Sequence, residues 1–271
     1  MRPKLIIVGS AGRMGKLILS EALESSLFEI AACIEKKGHP DIGKDAGLLA
    51  CGKTLNIKIA DTWPANADVA IDFSQADAAD STIETCVNKK IALVMGTTGL
   101  SDQQHEKLKT ASTSIPVLYS TNMSVGMNVL LALAGKIASM LGPEYDIEIV
   151  EQHHRFKKDA PSGSALTLAQ NICRETSRNF DKDVLYGRFG KDAQRKKGQI
   201  AVHAVRAGDI TGKHSIIFGT IGETITINHT AHSRDCFAKG AIAAALWLAD
   251  KKPALYSMSD VLKLGTSHFN I

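Results

Sequence analysis

The 271-residue sequence is 44% hydrophobic and 22% charged, enough apolar material for one large domain or two modest ones. Its net charge of +4 comes from scattered clusters such as Lys36-Lys37, Lys89-Lys90 and Arg195-Lys196-Lys197, and aromatics make up only 5%, so nucleic-acid binding is excluded as a main function. Five cysteines form no CxxC pair and no cluster with histidine, which argues against a disulfide framework or a metal site and fits a reducing cytoplasm.

In chain order, Ile- and Val-rich runs come first: Leu5 to Val8, Ile30 to Ile34, Val69 to Phe73, Ile91 to Met95 and Val117 to Tyr119. They alternate with helical patterns such as Met14 to Leu27 and Ala76 to Asn88, the grammar of a parallel sheet with crossover helices. After Ser124 a long apolar helix is predicted over Val125 to Leu141, then a strand at Ile147 to Val150 and a helix beginning near Ser162. A basic, loop-like stretch follows. Three further runs, Ile200 to Val205, Ser215 to Phe218 and Thr224 to Asn228, are separated by Gly-containing turns and predict a mostly antiparallel sheet. The alanine-rich helix Phe237 to Ala249 reads as a core helix. No apolar run approaches the roughly 18–20 residues that cross a bilayer, and glycines, Arg13 and Lys16 interrupt any signal-like start. The expected fold class is α/β: a Rossmann-type doubly wound parallel sheet over 1–124, a smaller α+β domain with the mostly antiparallel sheet over 125–235, and C-terminal helices over 236–271 returning to the first domain.

Gly9-Ser10-Ala11-Gly12-Arg13-Met14-Gly15 follows the first strand and opens the first helix, where a dinucleotide pyrophosphate would meet backbone N–H groups at the positive helix end. The spacing is GxxGxxG, and glycines of an ordinary tight turn would look the same. Glu35, at the end of the second strand, is placed to accept the ribose hydroxyls of NAD, while Lys36 and Lys37 beside it suit the 2'-phosphate of NADP; both cofactors are expected to be accepted. Gly96-Thr97-Thr98-Gly99 and the stretch Ser120-Thr121-Asn122-Met123 each follow a strand and line the same edge, the first expected against the nicotinamide half.

The chemically densest segment runs from Glu151 to Ser164 and holds His153, His154, Lys157 and the sequence Pro161-Ser162-Gly163-Ser164. Adjacent strand residues point to opposite faces, so two neighbouring histidines serve one ligand only where the strand has ended; both are expected on a loop. The Pro-Ser-Gly-Ser sequence reads as a capped helix N-terminus, a ready carboxylate site. Lys157 offers positive charge or a proton, and a histidine is the natural acid.

These motifs resemble the 4-hydroxy-tetrahydrodipicolinate (dihydrodipicolinate) reductase family of the diaminopimelate and lysine route, through GSAGRMG, Glu35, GTTG, TNMSVGMNV, EQHHRFKKDAPSGSAL, RAGDITGKH, GETITINHTAHSR and FAKGAIAAALWL. The resemblance covers nearly the whole chain and implies reduction of a cyclic unsaturated imine dicarboxylate with NADH or NADPH, without a metal, by a cytoplasmic homotetramer joined through its second domain, which binds substrate. It implies that His153 and Lys157 handle the proton, that His154, Gly163 and Ser164 bind a substrate carboxylate, and that Gly9 to Met14, Glu35, Lys36, Gly96, Thr97, Thr98 and Ser120 to Met123 hold the cofactor. The chain has Ser164, Met123 and Lys36 where the family usually has threonine, phenylalanine and arginine; lysine lacks arginine's planar fork, which bears on NADP preference. Two rival readings are a semialdehyde dehydrogenase, which needs a nucleophilic cysteine, and a noncatalytic NAD(P)-binding sensor on the same scaffold, against which His153 and Lys157 argue.

Overall fold

The computed structural model describes residues 1–264, which divide into two compact units: residues 1–125 with the segment from Arg234 onward, and residues 126–233. Residues 265–271, the end of the expected C-terminal segment, lie outside the described residues. The first unit holds β1 (Lys4–Val8), α1 (Arg13–Ser25), β2 (Glu29–Ile34), α2 (Ala46–Cys51), β3 (Ile59–Ala60), β4 (Val69–Asp72), α3 (Ala79–Lys89), β5 (Ala92–Met95), α4 (Asp102–Ala111) and β6 (Pro116–Tyr119). The second brings α5 (Val125–Leu141), β7 (Asp146–His153), α6 (Gly163–Glu175), α7 (Phe180–Asp183), β8 (Val184–Leu185), β9 (Ile200–Arg206), β10 (Gly212–Thr220) and β11 (Glu223–Ala231). Then α8 (Asp235–Leu248), β12 (Ala254–Tyr256) and α9 (Met258–Val261) belong again to the first.

The first sheet is parallel throughout, in the order β12-β6-β5-β4-β1-β2-β3, so the expected doubly wound arrangement is borne out. Its strands are continuous apolar runs because both faces are covered. Leu5 and Ile7 pack with Ile18 and Leu19 of α1 and Ala241 and Leu248 of α8, whereas Ile6 and Val8 pack with Ile83 of α3 and Leu108 of α4. Strand order reverses between β1 and β4, and the carboxyl ends lie in one line: Val8 is beside Ile34 and Asp72, Asp72 beside Met95, and Met95 beside Tyr119. Every loop that carries a candidate cofactor residue therefore leaves the sheet along one edge, where ligands of open α/β sheets bind. Helix α8 approaches that edge so closely that a Cβ on Gly240 would sit 1.7 Å from the Met123 carbonyl oxygen.

The second sheet has the order β11-β10-β7-β9-β8 and is mixed. β10 runs antiparallel to β11 and β7, as expected, but β9 runs parallel to β7 and β8, because the chain returns to it through α6 and a long connection. Helices α5 and α6 cover one face: Met127, Leu130, Leu131, Leu168 and Ile172 pack on Ile147, Ile149, Ile200, Val202, Ile216 and Phe218. The alternation that sends Ile147 and Ile149 to that face also sends Glu151 and His153 there. The predicted strand at 147–150 is too short: pairing of Gln152 with Lys213 and of His153 with Arg206 extends β7. His153 is consequently its last residue and not on a loop, and only His154 lies beyond it.

The Gly240 contact generates a stability prediction. Gly240→Ala drives a methyl into the Met123 backbone, and overpacking of this kind costs about 1–3 kcal/mol. A thermal melt should show a midpoint lower by several degrees; an unchanged midpoint would mean that α8 does not lock the turn after β6.

Candidate active site

In the first unit the β1–α1 turn is shaped by absent side chains. Gly9 has φ +74°, and a Cβ on Gly15 would lie 2.2 Å from the Gly9 carbonyl oxygen, so α1 starts directly on its own turn. Gly12 is the N-cap without a capping side chain, and no acid stands in the first turn, which leaves the helix's first N–H groups and its positive end for an anion. Gly9, Ala11, Gly12, Arg13, Met14, Glu35 and Lys36 line one cavity of about 800 Å³, together with Lys37, Trp63 and Phe73. Glu35 accepts a hydrogen bond from the Ala11 N–H at 2.8 Å, which fixes its carboxylate at the mouth of the turn. Such a cradle fits a dinucleotide: backbone donors for the pyrophosphate and an acid at the end of β2 for a ribose.

The other expected cofactor residues are placed less directly. Ser10 is buried and turns both its hydroxyl and its N–H to the Ile34 carbonyl, so it braces the turn against β2. Thr97 is buried and donates to Asp72 Oδ1 at 3.0 Å, which also accepts the Ser74 N–H at 2.7 Å; the fully buried Asp72 thus ties the loops after β4 and β5 together. Gly96 is covered by the Phe73 ring, 2.3 Å from where its Cβ would be. Thr98 and Thr121 are exposed. Ser120 and Asn122 close their own turn, with Ser120 Oγ donating to the Asn122 carbonyl at 2.8 Å, while Met123 is a core residue at 1% exposure.

In the second unit the centre is a carboxylate absent from the expected set. Glu151 has 0% exposure. Its Oε2 contacts His153 Nδ1 at 2.6 Å and accepts from Arg206 Nη1 at 2.8 Å. Its Oε1 accepts from Arg206 Nη2 at 2.8 Å and from the Ser162 N–H at 2.9 Å. Burial alone would push this carboxyl up, but the hydrogen bonds from His153, Arg206 and Ser162 outweigh it and hold it at about 2. Ser162 caps α6, accepting from the Ala165 N–H at 3.3 Å, as its position predicts, and contacts His214 Nε2 at 3.1 Å. His214 stands edge-on to His153 with ring centroids 5.3 Å apart; burial, reinforced by His153, lowers it to about 3 and keeps it neutral.

The connection from His153 to α6 carries the remaining candidates. His154 lies against the Phe156 ring at 6.3 Å, and the Lys157 N–H bonds back to the His154 carbonyl, closing a turn. Lys157 Nζ pairs with Asp159 at 2.9 Å. Gly163 opens α6 with nothing within 4 Å of where a Cβ would stand, and Ser164 follows it in the first turn. Glu151, Arg206 and His214 stand in the motifs EQHHRFKKDAPSGSAL and RAGDITGKH, but no local pattern assigned them a role: Glu151 shares a strand face with His153 only because β7 runs on to His153, and Arg206 and His214 come from distant strands. Four of the five cysteines hold no activated thiol: burial pushes Cys33 up to about 12 and Cys173 to about 11, and raises Cys86 and Cys236. None of these four is poised as a nucleophile of the semialdehyde-dehydrogenase kind.

Comparison with known proteins bears on both units. Family models described as "Dihydrodipicolinate reductase, N-terminus" and "Dihydrodipicolinate reductase, C-terminus" match residues 3–123 and 126–262. The chain is 42% identical over 262 residues to 4-hydroxy-tetrahydrodipicolinate reductase of Syntrophus aciditrophicus, covering 96% of this chain and 98% of the relative. It is 41% identical over 264 residues to that of Hahella chejuensis, covering 96% and 99%. Among solved structures, a dipicolinate-bound dihydrodipicolinate reductase from Paenisporosarcina sp. TG-14 superposes with a TM-score of 0.69 at 21% identity, covering 95% of this chain and 98% of that one. Aspartate semialdehyde dehydrogenase II of Vibrio cholerae reaches 0.57 at 10% identity, covering 93% and 100%; at these identities the two structures speak for the fold alone.

The buried pair makes the second unit acid-labile. His214 takes up a proton near 6.5 when unfolded but only at about 3 when folded, so between those values the unfolded chain binds the extra proton and stability falls as pH falls. Glu151, at about 2 folded against 4.5 unfolded, extends the loss to lower pH. The unfolding free energy should fall on acidification by at most about 1.4 kcal/mol per pH unit for each group, lowering the thermal midpoint, and less steeply in His214→Gln over the upper part of the range. A midpoint independent of pH there would contradict the burial of a neutral His214.

Proposed function

The chain belongs to the dihydrodipicolinate reductase family and reduces 4-hydroxy-tetrahydrodipicolinate with NADH or NADPH in diaminopimelate and lysine biosynthesis; from that premise we propose which of its residues do so. The first-turn N–H groups of α1 and the Gly9 to Met14 turn hold the pyrophosphate, Glu35 accepts from a ribose, and Lys36 neutralises a 2'-phosphate when it is present. Gly96, Thr97, Thr98 and the turn Ser120 to Met123 flank the nicotinamide at the same sheet edge. Loss of water from the 4-hydroxy substrate gives the cyclic unsaturated imine; bound cofactor would supply a hydride to C4 of that imine, and a proton completes tetrahydrodipicolinate.

The remaining chemistry is a proton and two carboxylates, and one segment offers groups for both. His153 gives or takes the proton, Lys157 is a second donor, and His154 with the Gly163-Ser164 turn binds a substrate carboxylate. Lys157 turns from Asp159 to substrate, exchanging one anionic partner for another. The observation that carries this reading is that Ser162 both caps α6 and donates to the carboxylate holding His153, so acid and anion site are built on one anchor. The dipicolinate named with the Paenisporosarcina structure is a ring dicarboxylate of the class this site requires.

The same reading makes the protein a cytoplasmic homotetramer, joined through the face of the second sheet that α5 and α6 leave uncovered. Val150, Ile217 and the 41%-exposed Val205 are on that face.

The test is oxidation of NADH and NADPH by the purified protein, with substrate formed in situ from pyruvate and aspartate semialdehyde by the preceding synthase. Synthase-dependent oxidation is expected with both cofactors, and none with either would overturn the proposal. His153→Ala and Lys157→Ala should each lower kcat about 100-fold or more; wild-type turnover in both would remove their roles. Glu35→Gln should raise the NADH KM about 10-fold, and Lys36→Ala should raise the NADPH KM by less, about 5-fold, since it is exposed and screened.

A further inference from the structure

A carboxylate with no exposed surface is costly unless every lone pair is used. Glu151 uses both oxygens twice, on Arg206, His153 and the Ser162 N–H. A buried ion pair that merely stitched β7 to β9 would need only Arg206. The two additional contacts go to the last residue of β7 and the first cap of α6, the two ends of the segment that bears the proposed acid and anion site.

The contact with His153 has a definite chemical meaning. An ionised carboxylate only accepts hydrogen bonds, so a 2.6 Å approach of Nδ1 to Oε2 requires the proton on Nδ1. Nε2 then either carries a proton to give or a lone pair to receive one. The space beside Nε2 is cleared by Gly212 of the neighbouring strand, where a Cβ would stand only 3.2 Å away. Arg206 balances the charge of Glu151, so a neutral imidazole leaves the buried group uncharged overall and an imidazolium adds a single charge.

We infer that Glu151, held by Arg206, sets the tautomer and orientation of His153 so that Nε2 faces the substrate, making the two positioning residues for the proton step. The inference rests on the reading of His153 as the proton-handling group. Because Ser162 hangs on the same oxygen pair, Glu151 also fixes the distance between that nitrogen and the first amides of α6. Acid and carboxylate site are held in register by one side chain.

The test combines spectroscopy with kinetics. In protein with 15N-labelled histidine, the His153 resonances are assigned by their loss in His153→Gln, and the tautomer is read from the two ring nitrogens. The wild type should show the Nδ1–H tautomer. Glu151→Gln presents an amide NH2 among groups that all donate, and toward His153 it donates to Nδ1; it should shift the ring toward the Nε2–H form and lower kcat about 100-fold, with the NADPH KM within about 2-fold. Glu151→Asp, which keeps the charge, should restore the Nδ1–H signature and part of kcat. A wild-type Nε2–H tautomer overturns the inference without any variant, and so does a Glu151→Gln enzyme with unchanged tautomer and kcat. Wild-type turnover in His153→Gln would instead remove the acid role itself, while the wild-type spectrum still decides the tautomer.

Discussion

Glu151 cannot be solvated by water, so protein groups must do it, and the second unit is arranged accordingly. β9 supplies Arg206, the end of β7 supplies His153 and the start of α6 supplies the Ser162 amide. Each donor also belongs to an element fixed by the apolar face of the same sheet, through Ile149, Val202 and Leu168. Packing thus delivers the donors, and the carboxylate converts that packing into the orientation of one imidazole and one helix terminus. Removing one donor would leave part of a buried charge unsatisfied, and on the proposed reading this is how a short segment between a strand and a helix holds its groups in place.

The first unit solves a different problem. On the proposed reading its ligand is the large, anionic cofactor, met mostly with backbone. Register places the ends of five strands on one line, glycines let the β1 turn and α1 interpenetrate, and Asp72 and Phe73 fasten the neighbouring loops. Nothing in that design is peculiar to one reaction, and an aspartate semialdehyde dehydrogenase shares the overall fold. On the proposed reading the chemistry is chosen in the second unit, by what stands at the end of β7.

Legibility in the sequence followed the range of the forces involved. Strands buried on both faces, the long helix over 125–141 and the Gly-rich turn announce themselves through local pattern, and the structure places them within a residue or two. Helix α4 did not, because only Leu108 and Ala111 of its ten residues are buried and its stability comes from the Ser101–Gln104 capping box and tertiary contact. β3, β8 and β12 are two or three residues long and exist only through pairing. The end of β7 was misjudged for the same reason: partners on both sides, invisible in the local sequence, prolong it to His153. The candidate residues were legible as types, while the pairing of the carboxylate beneath them with an arginine 55 positions away emerged only from the fold.

The most direct measurement of the central claim, that Glu151 acts on the reaction through His153, is a double-mutant cycle on kcat with Glu151→Gln and His153→Gln. If the carboxylate works by orienting the imidazole, the double variant should be no slower than His153→Gln alone, since there is no ring left to orient. If the two losses multiply instead, Glu151 contributes by a separate route and the account of the site is wrong.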